Sequence, residues 1–262
     1  MSNYETLELH KEDGIATVTL NRPDIHNAFN ETLIQELTQV FSALGQDEEV
    51  WAIIFTGRGA SFCAGADLNW MKKMVSYTRE QNIADSLEMS AMFEAIDTCP
   101  KPVIGRINGS AFGGALGLIC ACDLAIGLKD SLFAFSEVKL GIIPAVISPY
   151  VVRKLGLGKT RELFVTGERV SGEEAARIGL LNHVVATEEE LDVQVVKKLK
   201  FMRSSGKLAM KESKVLLRTM EEMDVANFRQ FTAEKIAELR SSEEGQEGLA
   251  AFLEKRKPSW RR

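Results

Sequence analysis

Trp51-Ala-Ile-Ile-Phe-Thr-Gly-Arg-Gly-Ala-Ser-Phe-Cys-Ala-Gly-Ala-Asp-Leu68 begins as an apolar run and ends as a loop of small residues. A short run of this kind, with aromatic and β-branched residues and a glycine at its close, reads as a buried strand. The design recurs downstream. Pro102-Val-Ile-Gly-Arg-Ile107 is another strand, and Asn108-Gly-Ser-Ala-Phe-Gly-Gly-Ala-Leu116 another glycine loop, this one running into a helix of small residues. Small side chains let a ligand approach the main chain, and glycine permits backbone angles that aim N–H groups outward. Two such donors meeting at one oxygen would form an oxyanion hole. Glycines that only make tight strand-to-helix turns give the same local pattern, so spacing alone leaves that convergence open.

Working outward, Thr6–His10 and Ile15–Leu20 flank Asp13-Gly14 and predict a β-hairpin that ends at Asn21-Arg22-Pro23. Leu33, Ile34, Leu37, Val40, Phe41 and Leu44 form the stripe of an amphipathic helix, with Asn30 as N-cap and Gly45 as its stop. Further strands are expected near Leu124–Ile126 and Leu132–Phe135. Ser171 and Glu174 make a capping box. Helical patterns then occupy Leu191–Phe201, Lys207–Glu222, Val225–Arg240 and Glu243–Lys257. Strands alternating with helices indicate an α/β fold, here with a core over residues 1–200 and a helical C-terminal region over 201–262.

The 262 residues, 45% apolar and 26% charged, suit a globular protein with a substantial core. A net charge of −5 argues against a nucleic-acid partner while leaving room for an anionic small ligand on a local patch. Met1 to Lys11 has no apolar h-region, and the longest apolar stretch, Ala111–Ile126, is interrupted by glycines and Asp123. A cytoplasmic protein without a membrane partner is therefore expected. The four cysteines lack CxxC spacing and the three histidines are scattered, so neither a metal site nor a disulfide framework is expected. Gly158-Lys159-Thr160 lacks the earlier glycine of a P-loop, where Arg153 stands, and neither a GxGxxG turn nor a Gly-x-Ser-x-Gly elbow occurs.

Phe62-Cys-Ala-Gly-Ala-Asp-Leu68 resembles the first signature of the enoyl-CoA hydratase/isomerase, or crotonase, superfamily. The stretch from Pro102 through Gly109, Gly113-Gly114 and Cys122-Asp123 resembles the second. Leu20-Asn-Arg-Pro23, Asn27-Ala28, Thr166-Gly167-Glu168 and Phe252-Leu-Glu-Lys-Arg-Lys257 follow in the family's order. The resemblance implies a crotonase-like ββα spiral core with an α-helical C-terminal trimerisation region, assembled as a homotrimer or a dimer of trimers. It also implies an acyl-CoA thioester as substrate, with no separate cofactor and no metal.

By this resemblance the Ala66 and Gly114 amides hold the thioester oxygen, and Gly113 lies in the same loop. The main chain around Ala64 receives the adenine, Asp24, Ile25 and His26 line the CoA channel, and Phe252 and Lys255 close the nucleotide end, on a neighbouring subunit. Asp67, Leu68 and Pro144 flank the bound substrate, Asp67 as a cap or loop-ordering residue rather than an acid. Glu137, in Ser136-Glu-Val-Lys-Leu-Gly141, matches the second family glutamate. The position of the first is Gly117, which cannot carry a proton.

One carboxylate suffices for a double-bond shift, and serves hydration if it both activates water and returns the proton. Leu140-Gly-Ile-Ile-Pro-Ala-Val-Ile-Ser-Pro-Tyr150 and Asp67-Leu-Asn-Trp-Met-Lys72 resemble the bacterial methylglutaconyl-CoA hydratase branch. The expected activity is thus reversible hydration of a short or branched 2-enoyl-CoA, with 3-methylglutaconyl-CoA as a candidate. The alternatives are Δ3-Δ2-enoyl-CoA isomerisation and a non-catalytic CoA- or RNA-binding scaffold.

Overall fold

Each of the short apolar runs becomes a strand, and the strands sort into two sheets. The computed structural model describes residues 4–261. They fall into two units, residues 4–99 with Val103–Val195, and Pro100–Pro102 with residues 196–261.

In the first unit, β1 (Leu7–Glu12) and β2 (Ile15–Leu20) form the hairpin, turning at Asp13 and Gly14, both with positive φ. After a short 3-10 helix at Pro23–Ile25 comes α1 (Glu31–Gln46). Its whole predicted apolar stripe is buried, and the Asn30 side chain accepts a hydrogen bond from the Leu33 amide. The helix does not stop at Gly45. It runs on to Gln46 and ends at Asp47, whose amide reaches the Leu44 carbonyl and whose carboxylate accepts the Glu49 amide.

The chain then coils. β3 (Ala52–Gly57) and β4 (Ser61–Cys63) are followed by α2 (Leu68–Met74) and α3 (Arg79–Asp97). β5 (Val103–Ile107) and β6 (Ser110–Phe112) lead into α4 (Ala115–Ala121). β7 (Leu124–Leu128) and β8 (Leu132–Ala134) lead into a 3-10 helix at Ser136–Leu140 and then α5 (Ser148–Thr166). β9 (Val170–Ser171), α6 (Gly172–Arg177) and β10 (His183–Val185) follow. The three coils β3-β4, β5-β6 and β7-β8 each give their first strand to a six-stranded sheet ordered β1-β2-β3-β5-β7-β10 and their second to a four-stranded sheet ordered β4-β6-β8-β9; β10 completes the first sheet and β9 the second. This is a ββα spiral. The contacts of β3 with β5, β5 with β7, β4 with β6 and β6 with β8 are all parallel, so equivalent strand ends stack from coil to coil.

Between the strands and α1, α3 and α4 lies the core, led by Phe29, Phe41, Phe55, Phe62, Phe93, Phe133 and Phe135. The four cysteines are buried within it, and burial pushes the Cys63 and Cys120 thiols up to about 12. α5 is absent from the sequence reading because Gly156-Leu-Gly158 interrupts its pattern. In the structure Gly156 (φ 74°) kinks the helix without ending it. The second unit holds the end of α7 (Glu188–Arg203), then α8 (Lys207–Glu222), α9 (Val225–Ser241) and α10 (Glu243–Leu253). Among the described residues no helix is long and apolar enough to cross a membrane.

Candidate active site

The two glycine loops leave equivalent strands at equivalent points. Cys63 of β4 pairs with Ala111 of β6, and Ala66 and Gly114 each lie three residues further on. Gly65 shows how closely the loops approach: it has φ +90°, and a Cβ there would stand 2.7 Å from the Phe112 carbonyl oxygen. Any side chain at position 65 would drive the loops apart.

The Ala66 amide is aimed by a single parallel bridge between Phe29 and Ala66. The Phe29 N–H donates to the Gly65 carbonyl at 2.8 Å, and the Phe29 carbonyl accepts the Asp67 amide at 3.0 Å. In such a bridge the residue between the two bonded neighbours turns its own N–H to the other side. Ala66 therefore presents its amide away from Phe29. Across the gap Gly113 donates its N–H to the Ala134 carbonyl at 2.9 Å, and the next amide, that of Gly114, stands at the head of α4.

A buried polar frame holds the first loop. The Asn27 side chain donates to the Arg58, Ser61 and Phe62 carbonyls and accepts the Arg22 amide, and the Asn108 side chain accepts the Gly57 amide and donates to Gly59. Arg22 bonds the Ala28 carbonyl and pairs with Asp67 at 2.8 Å. The other Asp67 oxygen accepts the Asn69 amide at 2.7 Å, capping α2. Burial pushes the Asp67 carboxyl up, but the Asn69 amide and Arg22 together hold it below its ordinary value. It serves as the expected cap and loop-ordering residue.

Glu137 lies on the 3-10 helix that follows β8, the third coil's equivalent position. Its carboxylate faces the second loop, with Oε1 3.4 Å from where a Cβ of Gly113 would be. Among the described residues, its Oε2 is the buried side-chain oxygen without a hydrogen-bond partner. Burial pushes this carboxyl above its ordinary value, opposed in part by its own backbone amide. A half-buried carboxyl with one oxygen unpartnered, beside an amide-bearing loop, is the form expected of a proton-transfer group, not of a surface partner for Lys139.

Gly117 leaves no cavity. A Cβ there would stand 2.3 Å from Ile147 Cγ2 and 2.8 Å from Phe93 Cε1, so these two buried side chains occupy the space an acid would need. The signal for Ile147 was present in Ala145-Val-Ile-Ser148, but its destination depends on folding across thirty residues.

The remaining candidates divide between the two units. His26, in the left-handed region at the end of the 3-10 helix carrying Asp24 and Ile25, accepts the Ala64 amide on its carbonyl at 2.9 Å, and its Nδ1 lies 3.1 Å from Ser61 Oγ. The segment and the Ala64 loop are thus adjacent, with the Ala64 N–H already engaged. Leu68 is exposed and Pro144 buried. Phe252 and Lys255 belong to the helical unit, Phe252 largely exposed and Lys255 in the left-handed region just past α10. Phe29 is the site residue that sequence reasoning missed. Among the described residues no group of acidic, histidine or cysteine side chains is arranged to hold a metal ion.

A two-sheet ββα spiral of this kind is the crotonase fold. The sequence profile of the enoyl-CoA hydratase/isomerase family matches residues 10–262, and the chain belongs to that family. It is 34% identical to the short-chain-enoyl-CoA hydratase of Clostridium acetobutylicum, over 95% of each chain. It is 33% identical to the crotonyl-CoA hydratase of Syntrophomonas wolfei, over 98% of each. Among solved structures, an enoyl-CoA hydratase from Shewanella pealeana superimposes with a TM-score of 0.94 at 40% identity, covering 98% of this chain and 96% of the other. AtuE of Pseudomonas aeruginosa gives 0.95 at 33% identity, covering 98% and 100%.

Proposed function

We propose that this protein adds water reversibly across the double bond of a short or branched 2-enoyl-CoA. The observation that carries the reading is the Glu137 carboxylate, with Oε2 unpartnered and Oε1 against Gly113, one residue from the Gly114 amide. The named hydratases among its relatives support the same chemistry.

The thioester carbonyl makes C3 electrophilic and C2 basic once the enolate forms. Glu137, ionised, takes a proton from water as the water oxygen bonds to C3. The electrons of the C2–C3 bond move into the carbonyl, and the resulting enolate oxygen is held by the Ala66 and Gly114 amides. Such donors contribute about 2.7–4 kcal/mol each when aimed at the developing charge. The enolate then collapses as the Glu137 carboxyl returns the proton to C2, giving the 3-hydroxyacyl thioester and restoring the base. With Ile147 and Phe93 at the Gly117 position, the same carboxylate serves both transfers. In this reading Asp24, Ile25 and His26 line the channel for CoA, the main chain of Ala64 meets its adenine, and Phe252 and Lys255 reach the nucleotide within a homotrimer or dimer of trimers.

The test is loss of conjugated-thioester absorbance on mixing the purified protein with crotonyl-CoA and, separately, 3-methylglutaconyl-CoA. Turnover of the second at the higher kcat/KM would fix the branched substrate, and no change with either would reject hydration. The solitary carboxylate also favours a second reading, Δ3-Δ2 isomerisation, in which Glu137 removes a C2 proton and delivers it to C4. A 3-enoyl-CoA would then gain absorbance while 2-enoyl-CoA stayed inert.

A further inference from the structure

Phe29 touches both oxyanion donors by different parts of one residue. Its main chain is bonded on either side of Ala66, to Gly65 and Asp67. Its ring lies under the other loop, with Cζ 2.8 Å and Cε1 3.5 Å from where a Cβ of Gly114 would be. The ring is itself held firmly. It is 2% exposed and meets the Trp70 ring edge-on at 5.9 Å between centroids, and the next residue, Asn30, caps α1.

We propose that Phe29 is a positioning residue for the oxyanion hole, a role that rests on the two-donor reading above. The backbone fixes the direction of the Ala66 amide, and the thickness of the ring fixes how far Gly114 stands from it. Neither donor can settle toward the other while the ring fills the space between their supports. Nothing in the ring touches the reacting atoms, so its influence runs through geometry alone.

Phe29→Leu keeps the main-chain bonds and an apolar filling but removes the atoms that support Gly114. Misplacement of a catalytic group by about 1 Å costs about 100-fold, and the expected fall in kcat is about 10–100-fold, with KM changed by less than about 3-fold. The pH dependence of kcat should keep its shape, because Glu137 is untouched.

A second readout separates this from simple destabilisation. Bound to the wild-type protein, cinnamoyl-CoA should show its absorbance shifted to longer wavelength by polarisation of the carbonyl, and the shift should shrink in Phe29→Leu at saturating ligand. Phe29→Met supplies the same comparison if the leucine variant does not fold. An equal shift and equal kcat in wild type and variant would overturn the role. So would a raised KM at unchanged kcat, which would make Phe29 a binding wall. Absence of any shift in the wild type would instead reject the two-donor site itself.

Discussion

Replacing Gly117 by alanine tests whether Ile147 and Phe93 truly fill the place of a second acid. The new methyl carbon would stand 2.3 Å from Ile147 Cγ2, 2.9 Å from Ile147 Cβ and 2.8 Å from Phe93 Cε1. Carbon atoms pack at about 3.5–4.0 Å, so each neighbour must retreat by roughly 1 Å, and both are fully buried. They also sit on different elements, Phe93 within α3 and Ile147 just before α5, so one shift cannot relieve both contacts. Overpacking of this kind costs about 1–3 kcal/mol, and alanine in place of glycine within α4 returns about 1 kcal/mol.

A net loss of about 0–2 kcal/mol remains, towards the upper end because two buried neighbours must move, which for a domain of this size lowers Tm by up to about 8 °C. Thermal unfolding at fixed protein concentration without ligand measures it. The double variant Gly117→Ala with Ile147→Ala should be more stable than the sum of the single changes by at least about 0.5 kcal/mol, because the two residues compete for one volume. A single variant as stable as the wild type, with additive behaviour in the pair, would refute the reasoning.

Glu137→Gln should lower kcat for hydration by about 100–10,000-fold while cinnamoyl-CoA still binds, measured by steady-state kinetics and equilibrium titration. The same variant should be more stable than the wild type at neutral pH. Burial raises the native carboxyl above its unfolded value, so its favourable share of stability is present below the unfolded pKa and disappears as pH rises through the folded one. The advantage of Gln should therefore vanish at about pH 4 and below, in unfolding curves recorded across pH. Asp67 has the opposite sign: held below its ordinary value, it stabilises above the unfolded pKa and fails as pH falls through the folded one. Arg22→Met, which removes its ion pair, should move the acid-unfolding midpoint to higher pH; an unchanged midpoint would remove Asp67 from the loop's support.

Sequence reading reached the elements whose physics is local. α1 was legible because all six of its apolar positions fall on one face, and β3 because a short run of β-branched and aromatic residues ends at a glycine. The three-residue strands β4 and β6 were not legible, since three residues show no period and their pairing is decided by the neighbouring coil. Glu137 lies in a Ser-Glu-x-Lys run that reads locally as surface, and only the register of the family's pattern lifted it out. Phe29 looks like an ordinary core aromatic beside a helix cap. Its part in the site exists only through a bridge to a residue thirty-seven positions away, which no local periodicity announces.

The parallel pairing of β4 with β6 turns the sheet into a ruler for chemistry. Neighbouring strands repeat at about 4.8 Å. Two N–H groups each about 2.9 Å from a shared tetrahedral oxygen need nearly the same interval between their nitrogens. Ala66 and Gly114, carried three residues beyond paired positions, start from this interval in the backbone pitch, and the Phe29 ring beneath Gly114 keeps it from closing. The carboxylate arrives one coil later, so in the proposed mechanism the electrophile's grip and the proton's carrier occupy separate rungs, and a chain of this design can exchange one rung's side chain while the backbone pitch of the others is conserved.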